Sequence, residues 1–514
     1  MNGKAGIVAL LGFAVLCGGV LARPVGKRIL RVCDDTVEPR SLDPTQEFDS
    51  KSDTVVQQMV EGLVHFKPDG TLEPALAERW SRVAPTRMTF WLRKGVRFHD
   101  GTPFDAQAVK FSVERYMDPA TRFPGFPFVR TIQGVEIEAP DRVTILTRGP
   151  DGLLLNRLAG ALRILPPAYY RKVGPAGFAQ HPIGTGPFRF VSREPGRRLV
   201  LAANKDYWDA GFPKLDGLEF HFLPLEQQLP ALLEGRLDLI TELPGTRTID
   251  VVRHARTTVV KNPSFWTLYG SLDTSRPPLS DVRVRRALNL AIDRQNLIHI
   301  EAMGNARPVA SLSMPGEAGH EPDLEPYRYE PVQARRLLAD AGYPGGLELT
   351  ILAALTSARA AQVIAGQFAE IGVRTKVVKT TAPEMIANLA RLKPHIFLCP
   401  CPDPLYNTYF IQWVACGSDS PFSLVRDAEF DRRLAEVVST LDDASRDRLS
   451  RGLDRYIHDQ ALNLFTYQRI RTYGLARDVG FVPFTSEMHR FHLTAISGPE
   501  HPPPKSGGPA ALHD

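Results

Sequence analysis

The sequence of 514 residues has few cysteines and almost no excess of charge of one sign. Its 62 Lys and Arg residues against 57 Asp and Glu residues leave a net charge of +5, which is too small for a chain of this length to indicate a nucleic-acid partner. Hydrophobic residues make up 43% of the chain and charged residues 23%. This composition excludes wholesale disorder, a collagen-like repeat and a polytopic membrane protein, and the length favours several packed units.

The local signatures of common enzyme classes are also missing. The sequence has no Gly-x-x-x-x-Gly-Lys-Ser/Thr loop, no His-Glu-x-x-His motif and no Gly-x-Ser-x-Gly turn. The glycines of residues 184–188 do not form a phosphate loop, because Pro187 lacks the N–H group that would bind a phosphate. No repeat of fixed period is present, which argues against solenoids and propellers. These absences lower the expectation of an enzyme without excluding one.

The two ends of the chain differ in composition from the rest. Residues 1–22 carry one charged side chain, Lys4, followed by an apolar run that ends in Ala22, and this pattern predicts a signal peptide for export. An uncleaved membrane anchor is the alternative, since the run is at the short limit for spanning a bilayer. Residues 499–514 are rich in Pro and Gly, and we expect a disordered tail there.

Cleavage after Ala22 would leave four cysteines, Cys33, Cys399, Cys401 and Cys416. An even number in an exported protein favours disulfides, and four cysteines allow three connectivities. We predict a Cys401–Cys416 disulfide because it closes a short loop. A metal site that uses His395 with Cys399, Cys401 and Cys416 is the alternative, although the spacing is not that of a standard zinc site.

Hydrophobic periodicity predicts a mixed α/β protein. Residues 347–352 and 373–378 have the pattern of strands, and residues 360–371 between them have the pattern of a helix that Gly372 ends. Ser280 or Asp281 is expected to begin another helix, whose apolar residues continue at helical spacing to Ile292. A strand–helix–strand unit of this kind is typical of an α/β lobe.

Short sequence motifs recur along most of the chain. Two of them are Glu61-Gly62-Leu63-Val64 and the segment 89–104, which reads TFWLRKGVRFHDGTPF. The others lie at residues 41–44, 72–80, 182–188, 204–208, 235–238, 278–288, 329–331, 341–343 and 430–431. With these motifs the chain resembles the bacterial extracellular solute-binding proteins of family 5, the dipeptide- and oligopeptide-binding proteins of ABC importers. Each motif is weak alone, but this many in the family's order are highly specific.

The resemblance implies a type II periplasmic-binding-protein fold, with two α/β lobes joined by a hinge and an extra domain inserted into the first. Residues 61–187 would be the inserted domain and residues 273–475 the second lobe, called lobe III in this family. The first lobe, lobe I, would be discontinuous and comprise residues 23–60, 188–272 and 476–498.

The resemblance also suggests residues that contact a solute. Peptide-binding relatives hold the peptide ammonium with an acidic residue shortly before an Asp-Pro pair. Here Pro400 takes that position and Asp403 follows, so Asp403 is a candidate anchor, with capping of a turn before Pro404 as the alternative. The remaining candidates are Phe48, Asp49 and Ser50 after the Leu-Asp-Pro motif, Trp266 near the lobe crossover, Arg359 at the edge of a loop, and Tyr406 and Trp413 for stacking.

The function implied is capture of a peptide or peptide-like solute in the cleft between the lobes and its delivery to a membrane permease with an ATPase on the far side. The expected protein is periplasmic and monomeric, needs no cofactor or metal, binds no nucleic acid and is not an enzyme. Alternatives are a non-peptide solute such as a metal chelate, an opine or a sugar, a role as a solute sensor, and an exported hydrolase.

Overall fold

The structure is a computed structural model that describes residues 27–497. The predicted signal peptide and the predicted tail from residue 499 onward lie outside the described residues. Within residues 27–497, no helix is long and apolar enough to cross a membrane.

Strands and helices alternate along most of the described chain. The strands are β1 (Ile29–Cys33), β2 (Val64–Phe66), β3 (Leu72–Pro74), β4 (Ala77–Ala84), β5 (Arg87–Leu92), β6 (Ile132–Ala139), β7 (Arg142–Thr147), β8 (Phe188–Glu194), β9 (Arg198–Ala203), β10 (Gly217–His221), β11 (Leu239–Ile240), β12 (Thr257–Leu272), β13 (Ala306–Pro308), β14 (Leu347–Ala354), β15 (Val373–Thr380), β16 (Ile396–Pro402), β17 (Asn463–Ala476), β18 (Val479–Gly480) and β19 (Ala495–Ile496). The α-helices are α1 (Ser50–Val56), α2 (Ala106–Met117), α3 (Phe126–Val129), α4 (Leu154–Ala161), α5 (Pro167–Gln180), α6 (Leu225–Leu233), α7 (Thr248–Arg253), α8 (Val282–Leu290), α9 (Arg294–Ala302), α10 (Pro331–Asp340), α11 (Ala358–Glu370), α12 (Met385–Leu392), α13 (Tyr409–Cys416), α14 (Ala428–Ser439) and α15 (Asp443–Asp459). Short 3-10 helices span Pro119–Thr121, Gly245–Arg247, Leu355–Ser357 and Phe491–Leu493.

One large mixed sheet organises the protein. Its strand order is β15-β14-β16-β12-β17-β11-β1-β10-β9-β8, and β13 pairs with β17 as the eleventh strand. We call the part with β11, β1, β10, β9 and β8 the first lobe, and the part with β16, β14 and β15 the second lobe. The long strands β12 and β17 lie between them, pair antiparallel, and shift register between Pro263 and Thr267. These two strands therefore connect the lobes.

The strand–helix–strand prediction is confirmed in the second lobe. Helix α11 follows β14 and precedes β15 in the sequence. The two strands pair in parallel, with Leu347 opposite Val373. Gly372 precedes β15 with φ +83°, a conformation that glycine adopts without strain. The apolar face of α11 packs in the same core as β14, as its period predicts.

The helix predicted from Ser280 or Asp281 begins as expected but ends early. Asp281 caps α8, and its Oδ1 accepts a hydrogen bond from the Arg283 N–H at 2.8 Å. The helix stops at Leu290 because Asp293 caps a new helix, α9, by accepting from the Asn296 N–H at 2.9 Å. The predicted helix is therefore confirmed except for its last two residues, and a second capped helix follows it.

A separate four-stranded antiparallel sheet, with the order β4-β5-β7-β6, lies in the segment between α1 and β8. We call this sheet and helices α2–α5 the four-stranded unit. Its core includes Phe90 and Val109, and it is continuous with α13 residues of the second lobe such as Ile411. The unit thus packs directly against the second lobe, while the domain boundaries drawn from the family resemblance stay a prediction.

Candidate ligand-binding site

A cavity of about 650 Å³ lies where the two lobes and the four-stranded unit meet. Its first-lobe wall comes from α1 and the turn before it, and its second-lobe wall from β16, α12 and α13. The lining residues are Pro44, Glu47, Phe48, Asp49, Ser50, Lys51, Ser52, Asp53, Val56 and Met488 from the first lobe; Tyr116, Pro124, Pro127, Phe128, Gly160, Ala161 and Arg163 from the unit; and Tyr269, Met385, Ile386, Cys399, Pro400, Cys401, Pro402, Pro404, Phe410, Trp413, Val414, Pro421 and Phe422 on the second-lobe side.

The first-lobe wall is held by a helix cap. The Asp49 Oδ1 accepts hydrogen bonds from the N–H groups of Lys51 at 3.0 Å and Ser52 at 2.9 Å, and so fixes the start of α1. Phe48, Asp49 and Ser50 all line the cavity, as do the next residues of α1. The structure thus brings three of the candidate residues together, and their role as solute contacts stays a prediction.

A partly buried ion pair joins the first-lobe wall to the four-stranded unit. Arg163 Nη2 donates to both carboxylate oxygens of Asp53, at 2.9 and 2.7 Å, and Arg163 Nη1 donates to the Ala159 carbonyl at 2.7 Å. Burial raises the pKa of Asp53, and the adjacent guanidinium opposes that rise. The Arg163 Nε is buried and has no hydrogen-bond partner in the described part of the chain. The pair therefore keeps one unused donor.

Aromatic rings connect the walls across the cavity. The Phe128 ring of the four-stranded unit lies 5.3 Å from the Phe48 ring of the first lobe and 4.6 Å from the Phe410 ring of the second lobe, both stacked. Trp413 meets Phe128 edge-on at 5.1 Å. Such pairs add to the hydrophobic gain from burial. Phe128 is thus the central contact between the three parts of the protein.

The second-lobe wall carries two thiols. Cys399 and Cys401 are two residues apart on β16, so their side chains share one face of the sheet, and Tyr269 on β12 is opposite Cys399. Both thiols line the cavity, and burial raises the pKa of Cys399 to about 12. They are therefore protonated, weakly polar groups in an apolar wall.

The predicted Cys401–Cys416 disulfide is not formed. The cysteines of residues 27–497 are all buried free thiols. Cys416 lies at the end of α13, where its Sγ accepts a hydrogen bond from Asn463 Nδ2 at 2.8 Å, whereas Cys401 faces the cavity from β16. The alternative metal site is not assembled either: within the described ranges, no three His, Cys, Asp or Glu side chains are placed to hold a metal ion.

Asp403 lies behind the second-lobe wall and not in the cavity. Its Oδ1 accepts from the Leu405 N–H at 2.7 Å and its Oδ2 from the Asn407 N–H at 2.9 Å, and the residue is fully buried. Burial raises its pKa to about 7, beside the Glu317 carboxyl. Asp403 therefore caps the turn after β16, and its contact with a solute stays a prediction.

The other candidates are placed as follows. Trp413 lines the cavity, and its Nε1 donates to Asp419 at 2.7 Å. Tyr406 is buried outside the main cavity, where its hydroxyl and the Ser486 hydroxyl share a hydrogen bond of 2.8 Å. The Arg469 guanidinium lies over the indole of Trp266, 4.4 Å from the ring centroid. Arg359 is exposed and pairs with Glu301 at 2.7 Å. Tyr406, Trp266 and Arg359 therefore do not line this cavity, and their role as solute contacts stays a prediction.

The residues that sequence reasoning missed are mostly on the four-stranded unit. Arg163 has a recognisable signal, since it stands alone within the apolar run Leu162-Arg163-Ile164-Leu165, where a charged residue needs a partner. Phe128 and Phe410 have no such signal, because apolar residues on short helices are usually core.

The model of the bacterial extracellular solute-binding proteins, family 5 (middle), matches residues 71–409. The chain belongs to this family. It is 31% identical over 357 residues to the glutathione-binding protein GsiB of Pectobacterium atrosepticum. The aligned region covers 68% of this chain and 69% of that protein.

Two solved structures have a similar fold. DppA of Helicobacter pylori in complex with the peptide STSA has a TM-score of 0.80 at 23% identity, covering 91% of this chain and 98% of that one. AgaA from A. tumefaciens R10 in complex with agropinic acid has a TM-score of 0.78 at 24% identity, covering 91% and 99%. The fold is thus the two-lobed type II periplasmic-binding-protein fold, as predicted.

Proposed function

We propose that this family member is the solute-binding component of an ABC importer and captures a peptide or peptide-like solute between its lobes. The observation that carries the proposal is the cavity of about 650 Å³ enclosed by both lobes and the four-stranded unit. That volume is within the range of small-molecule and short-peptide sites. The closed protein then docks on a membrane permease that an ATPase drives from the far side, so the chain itself needs no nucleotide.

Capture works by closure of the lobes about β12 and β17. Contacts that a solute makes with both walls exist only in the closed form and shift the equilibrium toward it. Turning a 1:99 balance of closed to open protein into 99:1 takes about 5.5 kcal/mol of differential affinity. Hydrogen bonds to the Asp53–Arg163 pair and apolar burial against the second-lobe wall supply energies of that order.

The names of the similar proteins support a peptide-like solute but do not narrow it further. GsiB relatives are called glutathione-binding, and the DppA structure holds a tetrapeptide, whereas the AgaA structure holds agropinic acid. A non-peptide solute and a sensor role are therefore the alternatives to be tested. Genes for a permease and an ATPase beside this one would favour import over sensing.

A thermal-shift screen tests the proposal directly. Purified protein is heated with di- and tripeptides, glutathione, opines, sugars and metal chelates, and a true solute raises the melting temperature in a concentration-dependent way. Stabilisation by peptides supports the proposal, and stabilisation by another class alone changes the solute. Peptides that come back cleaved in mass spectrometry would instead point to a hydrolase.

We also propose that residues 1–22 are removed on export and that the mature protein is a periplasmic monomer. The pattern of the first 23 residues and the family support export. The intact mass of the protein recovered from cells tests the cleavage site, and sedimentation tests the oligomeric state.

A further inference from the structure

The charged residues of the cavity all lie on one side. Among the lining residues within 27–497, those with charged side chains are Glu47, Asp49, Lys51, Asp53 and Arg163, all from the first lobe or the four-stranded unit. The lining residues on the second-lobe side are apolar, aromatic, proline or thiol-bearing. The cavity therefore has a polar wall and an apolar wall that face each other.

Most charges on the polar wall are already matched. Glu47 pairs with Arg40 at 3.0 Å, and Lys51 Nζ donates to the Asp34 carbonyl at 2.6 Å. Asp53 is held by Arg163, as described. The Asp49 carboxylate lines the cavity, is exposed, and accepts only from the backbone N–H groups of Lys51 and Ser52, so it remains available to a solute. Arg163 also lines the cavity, although its Nε, which has no partner among the described residues, is itself buried. The polar wall therefore offers charged groups of both signs to a polar or charged head of a solute.

The apolar wall provides no carboxylate to a cation. The one indole N–H there is already used, because Trp413 Nε1 donates to Asp419. The other polar groups there, the Cys399 and Cys401 thiols and the Tyr269 hydroxyl, are uncharged and do not replace the water around an ammonium. A charge buried without a partner is strongly unfavourable, so a solute group that lies against this wall must be uncharged.

We propose that the cavity selects a one-headed solute, with a polar or charged head at the polar wall, an apolar body against the second-lobe wall and no free ammonium at the far end. This inference rests on the proposed function and narrows it. A free dipeptide that reaches from one wall to the other has its ammonium and carboxylate at opposite ends, so either orientation places one charge against the apolar wall. A hydrophobic dipeptide with an acylated amino terminus avoids that cost and belongs to the class we infer.

The test compares Phe-Leu with N-acetyl-Phe-Leu, which differ only at the amine. Isothermal titration calorimetry of the mature protein at pH 7 should show the acetylated peptide binding at least tenfold more tightly. Equal or tighter binding of Phe-Leu overturns the inference and leaves the proposed function in place. If only solutes with a charge at both ends raise the melting temperature of the protein, the inference is likewise overturned and the proposed function stays in place. If no solute in the screen binds, both the inference and the proposed function fail.

A variant of the apolar wall makes the test independent of the choice of peptide. Pro400 lines the cavity and is partly exposed, so Pro400→Asp places a carboxylate where the wall has none. The preference for the acetylated peptide should fall at least threefold in Pro400→Asp and remain in the matched control Pro400→Ala. Circular dichroism verifies that both variants are folded. An unchanged preference in folded Pro400→Asp would mean that this wall does not reject the ammonium, and the inference would be wrong.

Discussion

On the polar wall, Asp53 and Arg163 meet at the cavity surface, whereas in the second lobe Asp403, Glu317 and Asp454 are buried behind the apolar wall. These buried carboxyls accept hydrogen bonds from backbone N–H groups and hydroxyls: Asp403 caps a turn, and Asp454 accepts from the Ser311 hydroxyl at 2.6 Å. The second lobe thus does not lack acidic residues. It keeps them away from the solute, so placement and not composition decides what each wall offers.

Phe128 links the two walls, and its removal should have the largest effect. It is buried and stacks with Phe48 and Phe410, so Phe128→Ala should lower the free energy of unfolding by about 4 kcal/mol through lost burial and a cavity. Urea denaturation measures this loss. The control is Phe126→Ala on the same short helix, where the ring is 42% exposed and little change is expected. Equal effects in both variants would contradict the linking role.

Breaking the pair on the polar wall should have the next largest effect. Arg163→Met leaves the partly buried Asp53 without its partner, and we expect a loss of about 3 kcal/mol in the free energy of unfolding. The double variant Arg163→Met/Asp53→Asn removes the stranded charge and should recover part of that loss, while binding of the solute stays weak. A double variant no more stable than the single one would show that the pair is not the source of the effect.

Behind the apolar wall, Asp403→Ala removes the acceptor of two buried N–H groups. We expect a loss of about 2 kcal/mol in the free energy of unfolding, since each unsatisfied donor costs about 1 kcal/mol or more. Asp403→Asn keeps one acceptor and should lose about half as much. Solute affinity should fall equally for cationic and neutral solutes, because the turn and not a charge contact is disturbed. A loss limited to cationic solutes would restore Asp403 as a solute anchor.

The contrast between the walls also shows what the sequence can predict. Period, caps and glycine stops were sufficient for β14, α11 and β15, because those signals are local. The sequence left Asp403 with two possible roles, since turn capping and solute contact use the same residue type, and only the fold reveals the capping contacts. The aromatic contact of Phe128 with Phe410 joins residues that are far apart in the chain, and no local pattern encodes it.

The smallest predicted effect concerns the carboxyl pair behind the apolar wall. Glu317 Oε2 accepts a hydrogen bond from the Met314 N–H at 2.7 Å. Its Oε1 is buried and has no hydrogen-bond partner in the described chain. A protonated Glu317 carboxyl that donates to Asp403 would give this oxygen a partner. Burial and the neighbouring Asp403 charge raise the pKa of Glu317, and Asp454 acts in the same direction. Glu317→Gln replaces the proton with an amide that donates at every pH.

The sign of the pH effect follows from the raised pKa values. Both carboxyls have raised pKa values in the folded protein, so each keeps a proton that the unfolded chain releases near pH 4. The stabilisation is therefore complete below that pH and is lost as pH rises through the folded pKa values, about 7 for Asp403. Glu317→Gln should therefore match the natural protein at pH 4 and be about 1 kcal/mol more stable at pH 8. Urea denaturation at both pH values measures the difference, with the exposed Glu325→Gln as control. If the difference in unfolding free energy between Glu317→Gln and the natural protein is the same at pH 4 and pH 8, Glu317 and Asp403 share no proton. In that case no shared proton stabilises the structure behind the apolar wall.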